Sequence, residues 1–224
     1  SGTARVDILL KSNLSSDEIL YEVNGTAKKF SSNVINSDFD ISNGTLDFFA
    51  DKKGLKIEGN VKVNNLPVQV KFTGSVAKGE AKFLELDLSL SEQALEMLPE
   101  GMPDIKISGS APAKISLKFH EGNKIGFELT SDLKGAELSY LPISWVKDIN
   151  GEAELNVSGT LGNGFVLSDI SLNSSEMVLI GSAVQKTDEN FVVNFEKLAL
   201  QDVFDLQLLI KKDGALEITG GQLN

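Results

Sequence analysis

The feature that most constrains the fold is a regular alternation of apolar and polar residues, clearest in LKIEGNVKVNNLPVQVKF at residues 55–72. Side chains on a β-strand point to opposite faces with a period of two, so this pattern predicts two strands with one apolar face. Asn64 and Asn65 tolerate the positive φ angles of a type I′ turn. The stretch therefore predicts a tight hairpin in which Val61 lies opposite Val68.

The two faces of this hairpin differ in their chemistry. Glu58 is predicted to lie opposite Lys71 on the polar face, where opposite charges form a favourable cross-strand pair. On the apolar face, Gly59 is predicted to lie opposite Val70 and to leave space beside it. Periodicity does not say what covers the apolar face, which either packs against a core or lines a groove that holds a ligand.

The same alternation recurs almost from end to end of the chain. It includes FLELDLSL at 83–90, and AKISLKFH with KIGFELTS, which predict a second hairpin about Glu121-Gly122-Asn123. Glycine, asparagine, aspartate and serine separate the segments, as turns require. About 14 or 15 strands result. The predicted fold is all-β, with a long antiparallel, twisted and curved sheet that forms a groove or a partly closed architecture.

One segment departs from the alternation, SEQALEMLPEGMP at residues 91–103. Ser91 is a suitable N-cap, and the acidic Glu92 favours a helix N-terminus. Pro99 then ends the helical pattern. We predict one short helix near 91–98 that covers an end of the sheet.

The organisation of the chain is predicted to be one continuous unit over residues 1–224, since no proline- or serine-rich linker divides it. The opening Ser1-Gly2 resembles the remnant of a cleaved tag. No apolar run approaches the length of about 20 residues that a membrane helix needs. We expect the sequence to be a soluble portion of a longer, anchored protein.

Composition excludes several classes of function. A net charge of −11 disfavours nucleic acid, and it disfavours docking on anionic headgroups through the outer surface. Any lipid contact is therefore expected through acyl chains. Because the chain contains no cysteine, disulfides, thiolate metal sites and cysteine nucleophiles are excluded.

No motif for catalysis or for metal binding stands out. His120 is the single histidine and is predicted to be solvated at the end of a strand. Residues 38–44 lack the glycine and glutamate positions of a calcium loop, and residues 159–164 fit a turn better than a dinucleotide site. Trp145 is predicted to anchor a strand. The 32 carboxylates single out no catalytic pair, so we predict no enzyme, no catalytic residue, no metal and no cofactor.

Four stretches together resemble the AsmA-like family of bacterial envelope proteins, which includes YhdP and TamB. Residues 25–72 are similar to a segment in which G-x-l-x-x-f precedes l-x-i-x-G-x-x-x-x-n-x-P. Residues 88–119 are similar to the helix and following strands of the same domain. Residues 136–161 contain WVK where the family has l-x-W-x-K followed by a glycine and a strand, and residues 214–224 resemble its closing strand.

The resemblance implies a function as well as a fold. It departs from the family at Asp148-Ile149, where the family often has proline and a small residue. It implies a periplasmic protein of a Gram-negative bacterium, anchored in the inner membrane by a helix that lies outside this sequence. Such proteins are expected to pass phospholipid between the inner and outer membranes along a β groove, and the family offers no catalytic residues to carry over.

The predicted function is therefore a segment of a bridge-like lipid-transport protein whose apolar groove shields phospholipid acyl chains. The alternative is a non-catalytic structural or interaction β-sandwich of the cell envelope, whose two sheets bury the same faces against each other. A carbohydrate-binding module is disfavoured by one tryptophan and two tyrosines. The envelope partner proteins are not indicated by the sequence.

The candidate groove residues are the apolar side chains of the alternating segments. They are Leu55, Ile57, Val61, Val63, Leu66, Val68, Val70, Phe72, Leu84, Leu86, Leu88, Ile115, Leu117, Phe119, Ile125, Phe127 and Leu129.

Overall fold

The chain is almost entirely β-structure in the computed structural model, which describes residues 2–12, 19–32, 40–75, 77, 80–97, 105–120, 124–140, 144–162, 164–186, 192–211 and 215–223. Within these ranges there are 17 strands and one short helix. The strands are β1 (Thr3–Ser12), β2 (Ile19–Ser32), β3 (Ile41–Asp51), β4 (Gly54–Val63), β5 (Leu66–Ser75), β6 (Lys82–Leu90), β7 (Lys106–Gly109), β8 (Ala111–Phe119), β9 (Ile125–Ser131), β10 (Ala136–Tyr140), β11 (Trp145–Lys147), β12 (Ala153–Gly162), β13 (Gly164–Ser174), β14 (Met177–Lys186), β15 (Val192–Leu200), β16 (Phe204–Ile210) and β17 (Leu216–Leu223). The helix is α1 (Glu92–Leu95).

Fourteen of these strands form one antiparallel sheet, which confirms the all-β prediction. Their order is β1-β2-β3-β4-β5-β6-β8-β9-β12-β13-β14-β15-β16-β17, and β11-β10-β7 form a second, small sheet. Among the described residues, β1 and β17 each have a neighbour on one side, so the large sheet is not closed on itself. The chain forms two compact units: the first is 1–88 with 116–121, and the second is 89–115 with 122–224.

The predicted hairpin is present in the first unit as β4 and β5. Asn64 and Asn65 have φ angles of 48° and 69°, as a type I′ turn requires. The turn is tied to the start of β3, because the backbone N–H of Asp40 donates to Asn64 Oδ1 at 2.8 Å. The predicted register is confirmed in full, including the pairs Val61–Val68, Gly59–Val70 and Glu58–Lys71.

The predicted helix is present but shorter than expected. Ser91 occupies the N-cap position with an extended backbone, as predicted, but its side chain makes no capping hydrogen bond. The Ser91 carbonyl instead accepts hydrogen bonds from the N–H groups of Ala94 and Leu95, both at 3.0 Å. Leu95 packs against the core of the second unit. The end of the predicted helix at residue 98 lies outside the described residues.

A series of β-bulges marks the second unit. Leu167 pairs with Ala183 and Ile170 with Gly181, so β13 carries one residue more than β14 between these pairs. A bulge changes which residues face inward, because the extra residue shifts the alternation by one. β15 and β17 contain the same irregularity. Bulges bend a strand and increase its twist, so we expect curvature in this part of the sheet.

The main buried core of the second unit lies where the small sheet meets the large one. Ile107, Leu138 and Trp145 of the small sheet are each at most 8% exposed. They belong to one cluster with Leu172 and Leu198 of the large sheet. Two sheets that pack face to face in this way form a closed sandwich at this place.

Two other expectations concern segments near the ends of elements. The loop of the second predicted hairpin, 121–123, lies outside the described residues, although both of its strands are present as β8 and β9. Residues 159–162 belong to β12, so the predicted turn at 159–164 is shorter than expected. Within the described ranges, no helix has the length and apolar character needed to cross a membrane.

Candidate functional site

One face of the first unit is apolar across four consecutive strands. Residues directly opposite each other in an antiparallel pair project to the same side, so the register assigns each side chain to a face. Phe48 lies opposite Ile57, Ile57 opposite Phe72, and Phe72 opposite Leu84. We call this surface the apolar face, which comprises Leu46, Phe48, Ala50, Leu55, Ile57, Val61, Val63, Leu66, Val68, Val70, Phe72, Leu84, Leu86 and Leu88.

Burial is not uniform along the apolar face. Val61, Leu66 and Val68, near the hairpin turn, are 6%, 3% and 5% exposed. The other members on β4, β5 and β6 keep part of their surface accessible, including Val70 and Phe72. The face is thus closed near the turn and partly open along the rest of the hairpin.

Two aromatic rings and three glycines shape the apolar face. The Phe48 ring lies over Gly25, where an added Cβ would collide with it, and Phe72 lies in the same way beside Gly74. Gly59 has a φ of +151°, and a Cβ there would collide with the backbone of β3. Glycine at position 59 is therefore required by the backbone of β4.

The opposite face of the first unit, the polar face, carries the charged side chains of the same strands. It contains a cavity of about 600 Å³. The charged groups that line this cavity are balanced, with three basic and three acidic side chains, so it offers no net charge to attract an ionic ligand. The lining residues are Arg5, Asp7, Asn24, Gly25, Thr26, Asp47, Phe48, Phe49, Lys56, Glu58 and Lys71.

A row of charged side chains crosses the polar face, and it contains both opposite-charge and like-charge neighbours. Glu58 lies opposite Lys71 as predicted, but Asp47 lies opposite Glu58 on its other side. Thr26 Oγ1 donates a hydrogen bond to Asp47 Oδ1 at 2.5 Å. Lys71 in turn lies between Glu58 and Glu85. Lys71 thus lies between two carboxylates, so its charge contributes more to the cross-strand pairs of this row than the charge of Glu58 does.

The second unit has an apolar face of its own, to which β9 contributes three candidates. Phe127 lies opposite Gly159, and its ring centroid is 5.7 Å from that of Phe165. Both rings pack against a small buried cluster that contains Leu167 and Ala183. Candidates Ile125 and Leu129 are partly buried and lie opposite Leu161 and Val157. The remaining candidates, Ile115, Leu117 and Phe119, are partly buried on β8.

The two outermost strands of the large sheet expose apolar side chains. On β1, Val6, Ile8 and Leu10 are 47%, 64% and 69% exposed. On β17, Leu216 and Ile218 are 60% and 61% exposed. The residues of β1 pair with residues of β2, and those of β17 pair with residues of β16. Each of these two edge strands therefore has apolar side chains that the described residues do not cover.

A buried lysine organises the small sheet of the second unit. Lys147 is 4% exposed, and its Nζ donates to the carbonyls of Leu133 at 2.6 Å and Ala136 at 2.8 Å. Burial lowers the pKa of Lys147 below its ordinary value of 10.5, while the charges of Asp148 and Asp132 act in the opposite direction. Both hydrogen bonds end on backbone carbonyls, so Lys147 has a structural role.

The neighbouring loop depends on the same lysine. Leu133 is 1% exposed and adopts a positive φ of 50°, which is costly for a leucine. Its N–H donates to Ser131 Oγ at 3.0 Å, and its carbonyl accepts from Lys147. Trp145 is buried as predicted, and its Nε1 has no hydrogen-bond partner among the described residues. The WVK segment therefore anchors this loop to β11.

The apolar residues that sequence reasoning missed are those on β12 to β17 of the second unit. The sequence signal for these residues is a change in the spacing of apolar side chains from two to three, as between Leu167 and Ile170. The described residues contain no group of three or more histidine, cysteine, aspartate or glutamate side chains arranged to hold a metal ion. His120 is exposed, as predicted.

Comparisons of the chain with protein families, with curated proteins and with solved structures found no match. The candidate site is therefore interpreted from its own geometry, in which an apolar face is partly open on one side of the sheet and a charged face lies on the other.

Proposed function

We propose that this chain is an acyl-chain-binding segment of a lipid-transport protein of the bacterial envelope. Its apolar face shields phospholipid tails from water as they pass between the inner and outer membranes. The observation that carries the proposal is the partial exposure of this face along β4, β5 and β6, where Ile57, Val70 and Phe72 remain accessible.

The energetics of lipid transfer favour such a surface. Exposing one methylene to water costs about 0.8 kcal/mol, so a tail of 15 methylenes costs about 12 kcal/mol. An apolar surface removes most of this cost without recognising a headgroup. The cavity on the polar face has balanced charges, so it offers no net positive charge to attract an anionic headgroup.

The dimensions of the first unit suit one tail. The four neighbouring strands that carry the apolar face, β3 to β6, span about 14 Å at 4.8 Å per strand. One leaflet of a bilayer has a hydrocarbon thickness of about 15 Å, half of the full core. A single tail lying across the strands is therefore about as long as the apolar face of this unit is wide.

The setting and partners follow from the resemblance to AsmA-like proteins. We place the protein in the periplasm of a Gram-negative bacterium, as part of a longer chain anchored in the inner membrane by a helix outside this sequence. Phospholipid acyl chains are the proposed ligand. Neither a cofactor nor catalysis enters the proposed role.

A second candidate is a structural or interaction module, and the second unit supports it. Its small and large sheets bury Trp145, Leu172 and Leu198 in a closed core. A closed core of this kind needs no ligand. The two candidates differ in what covers the apolar face of the first unit, which is lipid in one and protein in the other.

The test is a lipid extract of the purified chain. The chain is produced in a Gram-negative host, extracted with organic solvent and analysed for phospholipid by mass spectrometry. Ile57→Asp, on the apolar face, is expected to lose most of the lipid, since each passing tail would have to desolvate a carboxylate. Lys56→Asp, the neighbouring residue on the polar face, is the control and retains it. A wild-type extract without phospholipid contradicts the proposal.

A further inference from the structure

The outer edge of β1 is an unpaired strand edge among the described residues. β1 pairs with β2 over ten consecutive positions on its other side, with no bulge. A long regular edge presents a row of backbone N–H and C=O groups that can pair with another strand. Proteins protect such edges with proline, bulges or many charges. β1 has no proline, and its charged residues are Arg5, Asp7 and Lys11.

The apolar side chains of β1 strengthen this point. Val6 lies opposite Gly25 and Ile8 opposite Val23, so both project to the same side as the apolar face. They are 47% and 64% exposed, although large apolar side chains on a regular strand are usually covered. A strand placed beside β1 would cover their outer sides.

We propose that β1 pairs in antiparallel fashion with β1 of a second copy of this chain, about a twofold axis at Val6. The charged residues of β1 indicate that the strand paired with it is β1 of a second copy. In this register Arg5 lies opposite Asp7 of the second copy, and Asp7 lies opposite Arg5 of the second copy. The two exposed charges of the edge, at 86% and 73% side-chain exposure, thus complement themselves.

The neighbouring registers are unfavourable for definite reasons. A twofold axis that keeps side chains on the same face must pass through a residue that faces its own copy. An axis at Asp7 opposes two aspartates, and an axis at Arg5 opposes two arginines. An axis at Ile8 places Asp7 opposite the apolar Leu9. Of these four axes, only the one at Val6 pairs opposite charges, and it also places Ile8 opposite the small Ala4. An axis at Leu9 pairs Asp7 with Lys11 but leaves Arg5 without an acidic residue opposite it.

The consequence is an apolar surface that continues from one copy into the other. A twofold axis perpendicular to the sheet keeps the apolar faces of both first units on the same side. This association is independent of lipid binding, since it rests on the backbone edge and on the charges of β1. Its failure would leave the proposed lipid function untouched.

The test measures the mass of the full 224-residue chain by sedimentation velocity at increasing concentration. The wild type is expected to form dimers. Asp7→Arg opposes arginines across the interface and is expected to weaken the dimer by more than about tenfold. Adding Arg5→Asp exchanges the two charges and restores it. Ile218→Lys, on the exposed edge of β17, is the matched control and leaves the dimer unchanged.

A second measurement uses the absence of cysteine from the chain. Val6→Cys faces itself in the proposed register, at a Cα separation that suits a disulfide, so oxidation links two copies. Ile8→Cys faces Ala4 and remains monomeric on a denaturing gel. A monomeric wild type at all concentrations overturns the proposal. Loss of the dimer in Ile218→Lys, or no recovery in the charge exchange, overturns it as well.

Discussion

Val68 and Val70 lie two positions apart on β5, on the same apolar face, but they differ in how much of each side chain is exposed. Val68 is 5% exposed and lies opposite Val61, which is 6% exposed. Val70 is partly exposed and lies opposite Gly59, which has no side chain. Because both valines lie on the same strand and project to the same face, they form a matched pair for substitution by aspartate.

The expected costs of the two substitutions differ. Val68→Asp buries a carboxylate without a partner and is expected to lower the free energy of unfolding by about 3 to 5 kcal/mol. Val70→Asp loses part of the 1.5–3 kcal/mol that full burial of a valine contributes, about 1 kcal/mol, because its carboxylate reaches water beside Gly59. The expected difference between the variants is therefore about 3 kcal/mol.

The assay is urea denaturation followed by intrinsic fluorescence of Trp145 and by circular dichroism, with a lipid extract of each folded variant. Val70→Asp is expected to stay folded and to lose co-purified phospholipid. If Val70→Asp loses as much stability as Val68→Asp, the face at Val70 is a closed core. Such a result, with no phospholipid in the wild type, would refute the reasoning.

Three further predictions concern the framework. Lys147→Met leaves two buried carbonyls without donors and is expected to cost about 2–4 kcal/mol in thermal denaturation. Because burial lowers the pKa of Lys147, the unfolded chain binds more protons than the folded chain between that pKa and 10.5, so the stability of the wild type relative to the variant rises with pH across this window. A stability difference that does not change with pH contradicts the assignment. Lys71→Glu is expected to cost about 1 kcal/mol and the added Glu58→Lys to recover most of it in denaturant titrations, whereas no recovery argues against the register. Gly59→Ala is expected to lower the free energy of unfolding by more than about 2 kcal/mol because position 59 has a positive φ. Gly162→Ala, with open space around it, should change the urea midpoint little. If both variants lower the midpoint equally, the close approach of β3 to Gly59 is contradicted.

The hairpin of β4 and β5 was predictable because all of its determinants are local. The Asn64-Asn65 turn sets the register, and unbroken alternation assigns each side chain to a face. Nothing in these two strands required knowledge of the rest of the chain. The energetic role of Glu58 was less predictable, because Asp47 faces it from a strand whose register depends on a bulge.

The faces of the second unit were harder to predict for a physical reason. In β13 the inward residues change from Leu167 to Ile170, and in β15 from Phe195 to Leu198, because each strand contains a bulge. A period of two applied across a bulge assigns half of the strand to the wrong face. The structural role of Lys147 was equally hard to predict, because its acceptors are backbone carbonyls and carry no sequence signal.

The central claim, that the apolar face binds acyl chains, is tested most directly by site-specific photocrosslinking at two phenylalanines. Phe72 belongs to the apolar face, and Phe49 lines the cavity of the polar face, yet both are partly exposed. A benzophenone amino acid replaces each in turn, and the irradiated protein is analysed by mass spectrometry for covalently attached phospholipid. We predict acyl-chain adducts at position 72 and none at position 49. Equal labelling of both positions, or lipid at position 49 alone, would contradict the account.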